Sequence, residues 1–257
     1  MSLAVYEETG KDIDRAYKEQ NKPKIEKETS YILSQLVMMM MGVFSDRIKS
    51  VHINTQHLHF NEMFITSEKN RTTLLKWLER LISMDHPATD DYKFGKLKVD
   101  FEQWYYQIGG REISFNYHKS YLLTPSEAAE QLGVSTVTLN KYVKDGFEYI
   151  DHKSHHRIPK HMIPLWHDTV YAIKIQMMYQ QRKLWNQKPE ERLKEIVEEL
   201  LEFQMKYKVD TVKEAFPTLD HNHNEEDSLL DYYEWESLEE ELRDLKNKVY
   251  GDWKNGE

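Results

Sequence analysis

Between residues 122 and 159 the chain reads LLTPSEAAEQLGVSTVTLNKYVKDGFEYIDHKSHHRIP, and its punctuation leaves little freedom in how that stretch folds. Thr124 is placed to cap a helix, Pro125 sits at the first helical position where its missing N–H costs nothing, and Glu127 completes a capping box. Ala128, Ala129 and Leu132 follow at helical spacing, and Gly133 stops the helix because glycine alone enters the left-handed conformation cheaply. Ser135 can cap a second helix over Thr136–Lys144, where Leu139 and Val143 share a face that can pack on the two alanines, with Val134 near the turn. Asp145-Gly146 ends that helix with a turn signal. Residues 147–151 and 155–158 then read as two short strands around a turn at 152–154. This pattern predicts two short helices joined through a glycine and followed by a small β-hairpin.

AAEQLGVSTVTLNKYVKDGF resembles the excisionase and MerR-type helix–turn–helix, written A-A-x-x-L-G-V-S-x-x-T-L-x-x-Y-x-x-x-G. Ala128, Ala129, Leu132, Gly133, Val134, Ser135, Thr138, Leu139, Tyr142 and Gly146 match. The resemblance implies a second helix that enters the major groove of DNA and a wing that touches the backbone. Many excisionase-like wings carry Gly-Gly-His-Arg-Arg-Ile, whereas this chain has Lys153-Ser154-His155-His156-Arg157-Ile158, without the glycines and one arginine. Asn140 stands where MerR proteins usually carry arginine. By position Thr136, Thr138 and Asn140 should project toward bases, and asparagine can pair bidentately with adenine. Ser135, Lys141, Tyr142, Lys144, His155 and Arg157 are the candidates for phosphate contacts, which set register without reading sequence.

Charge limits how tightly one copy could hold DNA. Residues 121–167 carry five basic and five acidic groups, so the phosphate term that usually supplies much of the affinity is small. His152, His155, His156, His161 and His167 could add positive charge below about pH 6.5. Weak half-site binding rescued by dimerisation is the natural expectation. The net charge of −9 is concentrated elsewhere: residues 189–257 hold nine basic against 21 acidic groups, while residues 1–120 balance at 17 each.

The chain has no cysteine, which removes disulfides and thiolate chemistry and fits a reducing cytoplasm. The longest apolar run, YILSQLVMMMMGVF, is too short to cross a membrane and reads as a buried helix. The fold class expected is mainly α. Residues 1–25 read as a flexible arm or a short helix, and residues 26–118 as a small α+β domain of unknown role. Within it, residues 26–43 and 71–84 read as helices, residues 47–66 as one or two strands, and residues 103–108 and 111–117 as a hairpin about Gly109-Gly110. Residues 121–164 form the winged helix–turn–helix, and residues 165–257 a helical dimerisation and partner-binding region. There a long helix over 165–186 carries Trp166, Val170, Ile173, Met177 and Leu184 at steps of three and four, with Gln180 filling the remaining seam position, a dimerisation-type stripe. Packing on the protein's own domain accounts for the same pattern. Pro189 starts a further helix with Leu193, Ile196, Val197, Leu200 and Leu201 on one face, and helices also read at 209–216 and 228–249.

Residues 196–245 are similar to the helical tails of small proteins near toxin–antitoxin operons, with Glu202, Phe203, Lys206, Tyr207, Glu234, Trp235 and Leu238 in the matching positions. Joined to a DNA reader, that implies an antitoxin that represses its operon and holds a toxin through acidic helices. No phosphate loop, dinucleotide fingerprint, zinc-protease or nucleophile-elbow motif occurs, so an enzyme and a cofactor are not expected. His57 with His59, His155 with His156, and His221 with His223 lack a third ligand at fixed spacing, so no metal is assigned. The sequence thus points to a dimeric, sequence-specific DNA-binding repressor, with a protein-interaction adaptor built on the same two helices as the alternative.

Overall fold

The computed structural model describes residues 2–53, 58–83, 90–152, 155–217 and 226–251. The chain divides into two compact units, residues 1–182 and 183–257, and is mainly helical with small antiparallel sheets.

The first unit opens with α1 (Leu3–Lys18), whose N-cap Ser2 accepts from the Val5 N–H at 3.4 Å. Of the two readings of this lysine-rich segment, a flexible arm or a helix, the helix is the one that forms. Thr9, Ile13 and Ala16 are buried along one face, Arg71 pairs with Asp14 at 2.7 Å, and the Tyr17 hydroxyl donates to the Ile65 carbonyl. Three small or mid-sized side chains make the contact face, too narrow to stand out among charged neighbours. The next helix, α2 (Lys22–Val43), contains the long apolar run and buries Ile25, Ile32, Leu33, Leu36 and Met40. Among the described residues no helix is long and apolar enough to cross a membrane.

Residues 47–66 hold one strand, β1 (Ile48–Ile53), and a single helical turn, α3 (Glu62–Ile65), where one or two strands were expected. Asn61 starts that turn by accepting from the Phe64 N–H. His57 lies outside the described residues. Helix α4 (Glu68–Ser83) buries Leu74, Trp77, Leu78 and Leu81. Helix α5 (Asp91–Gln107) is the centre of the unit, burying Phe94, Leu97, Val99, Phe101, Trp104, Tyr105 and Tyr106, and with them Lys98 and Glu102. The expected hairpin about Gly109-Gly110 does not form. Residues up to Gln107 complete α5, and the N–H groups of Gly109 and Gly110 close its last turn on the carbonyls of Tyr106 and Tyr105. A helix buried on nearly every side shows no polar stripe, so its period is lost in the sequence. Strand β2 (Ile113–Tyr117) pairs antiparallel with the distant β1, from Ile53↔Ile113 to Ile48↔Tyr117.

A short 3-10 turn at Lys119–Tyr121 leads into β3 (Leu122–Leu123), α6 (Pro125–Leu132), α7 (Thr136–Lys144), β4 (Ile150–His152) and β5 (His155–Pro159). The last three strands form one sheet in the order β3-β5-β4; residues 153 and 154, between β4 and β5, lie outside the described set. The helix expected over 165–186 is two helices, α8 (Met162–His167) and α9 (Thr169–Asn186). Asp168 makes the break: its backbone is extended, and its carboxylate accepts from the Val170 and Tyr171 N–H groups and from the Tyr92 hydroxyl. Residues 121–164 are accordingly not a free-standing module, because α8 packs on α5 and the boundary between units falls at 182/183 rather than near 165.

The second unit contains α10 (Pro189–Tyr207), α11 (Val212–Ala215) and α12 (Glu226–Gly251). Ile196, Leu200, Val212, Trp235 and Leu238 form its core, with Phe203, Tyr207, Phe216 and Tyr232 packed around them. Phe203 stacks on Trp235 at 5.5 Å, and Arg192 ties α10 to α12 through Glu241 at 2.7 Å.

One buried polar side chain links three elements of the first unit. Asn70, fully buried in α4, accepts from the Trp104 indole at 3.0 Å and donates to the Tyr17 hydroxyl and the Ile65 carbonyl. Asn70→Ala leaves the indole N–H without its acceptor, and we expect the urea midpoint to fall by an amount equivalent to about 2–4 kcal/mol.

Candidate nucleic-acid interface

The α6–α7 pair is built by its own caps. Thr124 accepts from the Glu127 N–H while the Glu127 carboxylate reaches back to the Thr124 N–H, a reciprocal capping box. Those bonds from the Thr124 backbone and hydroxyl hold the Glu127 carboxyl below the usual carboxylate range, with Arg157 and Lys160 adding to the effect. Gly133 takes φ 69°, the left-handed turn between the helices. Ser135 starts α7 by accepting from the Thr138 N–H at 3.1 Å. Ala128, Ala129, Leu132 and Leu139 are buried between the helices. At the far end Gly146, at φ 104°, lies against α9 so closely that a Cβ there would stand 2.6 Å from the Tyr179 Cβ.

The outer face of α7 presents Thr136, Asn140, Lys141 and Lys144, all exposed. Thr138 does not join them as a free reader, because it is half-buried and its hydroxyl is bonded to the Ser135 hydroxyl at 2.9 Å. Val137, which the sequence reading passed over, is 67% exposed on the same helix, and a methyl-bearing side chain there suits contact with a thymine methyl. Tyr142 is half-buried with its ring on Trp166 at 5.2 Å, so its aromatic face is occupied inside the protein. Arg157 is half-buried beside Glu127 rather than fully extended on the wing. The side chain of His155 lies outside the described set; His156 is exposed and its Nδ1 meets the Asp151 carboxylate at 2.8 Å.

The stripe expected for dimerisation divides. Trp166 packs inward against Tyr142 and Phe147, at 5.2 and 5.1 Å, and is not part of an outer seam. Val170, Ile173, Met177 and Leu184 remain 61, 50, 68 and 61% exposed. The opposite face of α9 is the one that packs on the protein itself: Tyr171, Ile175 and Met178 are buried, and Asp100 of α5 receives Lys174, the Tyr171 hydroxyl and Arg80.

Of the positions expected to match antitoxin tails, Phe203, Tyr207, Trp235 and Leu238 serve the core of the second unit. Lys206 pairs with Asp231, and Glu202 and Glu234 are exposed. The apolar face expected on this helix divides: Ile196 and Leu200 are buried, whereas Val197 and Leu201 are exposed and, with Met205, form an apolar ridge along α10. Among the described residues no group of three or more His, Cys, Asp or Glu side chains could hold a metal.

Sequence reasoning missed one cluster entirely. Lys98 is buried in α5 with its ammonium 2.9 Å from Glu102, 3.0 Å from Glu148 and 4.8 Å from the centre of the Phe115 ring. Glu148 also accepts from the Tyr117 hydroxyl at 2.9 Å and lies 3.2 Å from the His161 Nε2. Burial works against the charged lysine, yet the two carboxylates outweigh it and hold its pKa above the ordinary value. Burial likewise opposes the Glu148 charge, and Lys98 with His161 overcomes it, leaving the carboxyl well below its usual range. His161 is fully buried; burial pushes its pKa below the ordinary value despite Glu148, so the neutral ring donates through Nε2. An alternation of isolated charges along α5 carries no signal of this kind, since the partners are ~50 and ~60 residues away in the chain, a separation only tertiary packing bridges.

Compared with protein-family models, curated proteins and solved structures, the chain matches none.

A histidine whose pKa is depressed on folding stabilises the fold fully above its unfolded value and loses that contribution as pH falls through and below it. We expect the urea midpoint of the first unit to decline from about pH 7 to about pH 5, and His161→Gln to remove most of that slope while lowering the midpoint at neutral pH.

Proposed function

We propose that the chain is a sequence-specific DNA-binding regulator that acts in the cytoplasm as a dimer and represses the promoter it occupies. The observation that carries this reading is the outer face of α7: a capped helix, anchored from behind by Leu139, that leaves Thr136, Val137, Asn140, Lys141 and Lys144 exposed together. In this reading Asn140 and Thr136 read base edges, Val137 meets a thymine methyl, and Lys141 and Lys144 meet phosphates. Two copies join through the outer stripe of α9, placing two α7 helices on successive turns of one palindrome. The acid-rich second unit, with its Val197–Leu201–Met205 ridge, supplies the surface for a basic protein partner such as a toxin.

The strength of the dimer contact follows from its area. Eight half-exposed side chains, four from each copy, give on the order of 6–15 kcal/mol of gross burial, against an association cost of about 4–15 kcal/mol. The copies therefore associate weakly alone and firmly on an operator, where the DNA holds both at high effective concentration. The adaptor reading is favoured by two observations, the balanced charge of residues 121–167 and the exposed Val137.

Selection of bound sequences from a random duplex pool should yield a palindrome with two half-sites about 10 base pairs apart. Asn140→Ala should relax preference at one position of each half-site, costing about 1–3 kcal/mol, whereas Lys144→Ala should weaken all sequences alike and reduce the salt slope by about one. No retained duplex at low salt would give the ground to the adaptor. Ile173→Glu with Met177→Glu should abolish cooperative occupancy of the two half-sites in footprinting and leave half-site binding intact; unchanged cooperativity rules out α9 as the seam.

A further inference from the structure

We infer that Lys98, in the N-terminal helices, is a positioning residue for the reading helix: it holds Glu148, and through Glu148 it fixes the angle at which α7 leaves the body of the protein. The consequence for DNA rests on the reading proposed above; the positioning itself is measurable without DNA.

The chain of contacts is short. Helix α7 ends at Lys144, and the Phe147 N–H donates to the Tyr142 carbonyl at 2.9 Å, so residue 147 is locked to the helix end. Phe147 is buried against Trp166. Glu148 is the next residue, and its carboxylate takes donors from three other elements: Lys98 of α5, Tyr117 of β2 and His161 at the start of α8. Glu102 holds the other side of the Lys98 ammonium. The exit of the reading helix is thus pinned to a charge that belongs to residues 26–118, the region for which the sequence offered no role.

Nothing in the α6–α7 pair requires a carboxylate at 148, because Ala128, Ala129, Leu132 and Leu139 already pack the two helices together. A buried ion pair is also a poor source of stability, since an apolar pair of similar volume often does as well; its best-attested use is to fix register. Leverage makes the angle matter. Nine residues at about 1.5 Å rise each put Thr136 far enough from the exit that a tilt of about 5° displaces it by roughly 1 Å. Base-edge hydrogen bonds hold only between about 2.7 and 3.2 Å. An α7 loosened at its exit would still meet phosphates through Lys141 and Lys144, but would lose its base contacts.

The test uses the full chain and two variants, Lys98→Met and the charge-free triple Lys98→Met, Glu102→Gln, Glu148→Gln, which keeps side-chain volumes while removing the charges together. The readouts are amide hydrogen exchange along the chain and the ratio of affinity for the selected palindrome to affinity for random duplex. We expect the triple variant to remain folded and its α7 and β4 amides to exchange at least tenfold faster than in the parent, with α2 and α4 amides unchanged. The affinity ratio should fall about tenfold, the loss of one base contact per half-site. Exchange that rises equally in α2, α4 and α7, or unfolding of both variants, overturns the inference, because the cluster then holds the whole unit rather than the angle of α7. A parent chain without sequence preference defeats the DNA-binding reading alone; the exchange comparison still decides the positioning.

Discussion

The contact between Lys98 and Glu148 carries more of this structure than its size implies. It joins α5, which organises the N-terminal helices, to Glu148, four residues past the end of α7, and His161 and Tyr117 bring α8 and β2 to the same carboxylate. Removing one partner of a buried pair costs about 3–5 kcal/mol where nothing else compensates the remaining charge; here Glu102 stays beside Lys98, and Tyr117 and His161 stay beside Glu148. Residues 1–182 therefore behave as one body rather than an α+β domain with a module attached. Asp100 repeats the device on a second side of α5, fastening Lys174 and Tyr171 of α9 and Arg80 of α4. Both anchors place the charge on α5 or receive it there, so the most buried helix is also the one that sets where the outer helices point.

What the sequence disclosed and what it hid follow the range of the interactions involved. The α6–α7 pair was legible to the residue because its determinants are local: Thr124, Glu127, Gly133 and Ser135 act within three or four positions of themselves. Helix α5 was misread in its second half because WYYQI alternates as well as it winds, and burial on all sides erased the polar face that marks a helix. The β1–β2 pair was hidden for another reason: its partners are some 60 residues apart and no turn announces them. Thr138 and Tyr142 show the limit of reading a site by position. Position put Thr138 on the outer side and made Tyr142 a candidate for phosphate, and only the neighbours, Ser135 in one case and Trp166 in the other, reveal that these groups are already engaged.

Helix α9 shows how one periodicity serves two surfaces. Steps of three and four fit Tyr171, Ile175 and Met178 on the inner face as well as Val170, Ile173 and Met177 on the outer one. An apolar residue at both phases gives a helix with no clean polar side, and the sequence alone cannot say which stripe faces the protein. Gly146 resolves the matter physically. Its close approach to Tyr179 sets the turn that follows α7 against α9 and leaves the outer stripe of α9 exposed. In a dimer built on that stripe, the separation of two α7 helices would be fixed by the protein rather than by flexible linkers.

Placing the side chains leaves the charge of residues 121–167 close to balanced. Of the five acids that stand against five bases, Glu127, Glu130, Asp145 and Asp151 are exposed. Glu148 is turned inward to Lys98, and Glu127 is committed to its cap with Arg157 and Lys160 nearby. On α7 itself the exposed charges are Lys141 and Lys144, with Asp145 just past the helix end. If α7 reads DNA as proposed, its two exposed cations release few counterions, so the salt-dependent part of its affinity would be modest and base contacts would supply more of the total. That weighting favours a device in which the helix angle is held by a rigid body behind it. It also favours two weak half-sites over one strong one, because discrimination then multiplies while non-specific retention stays low.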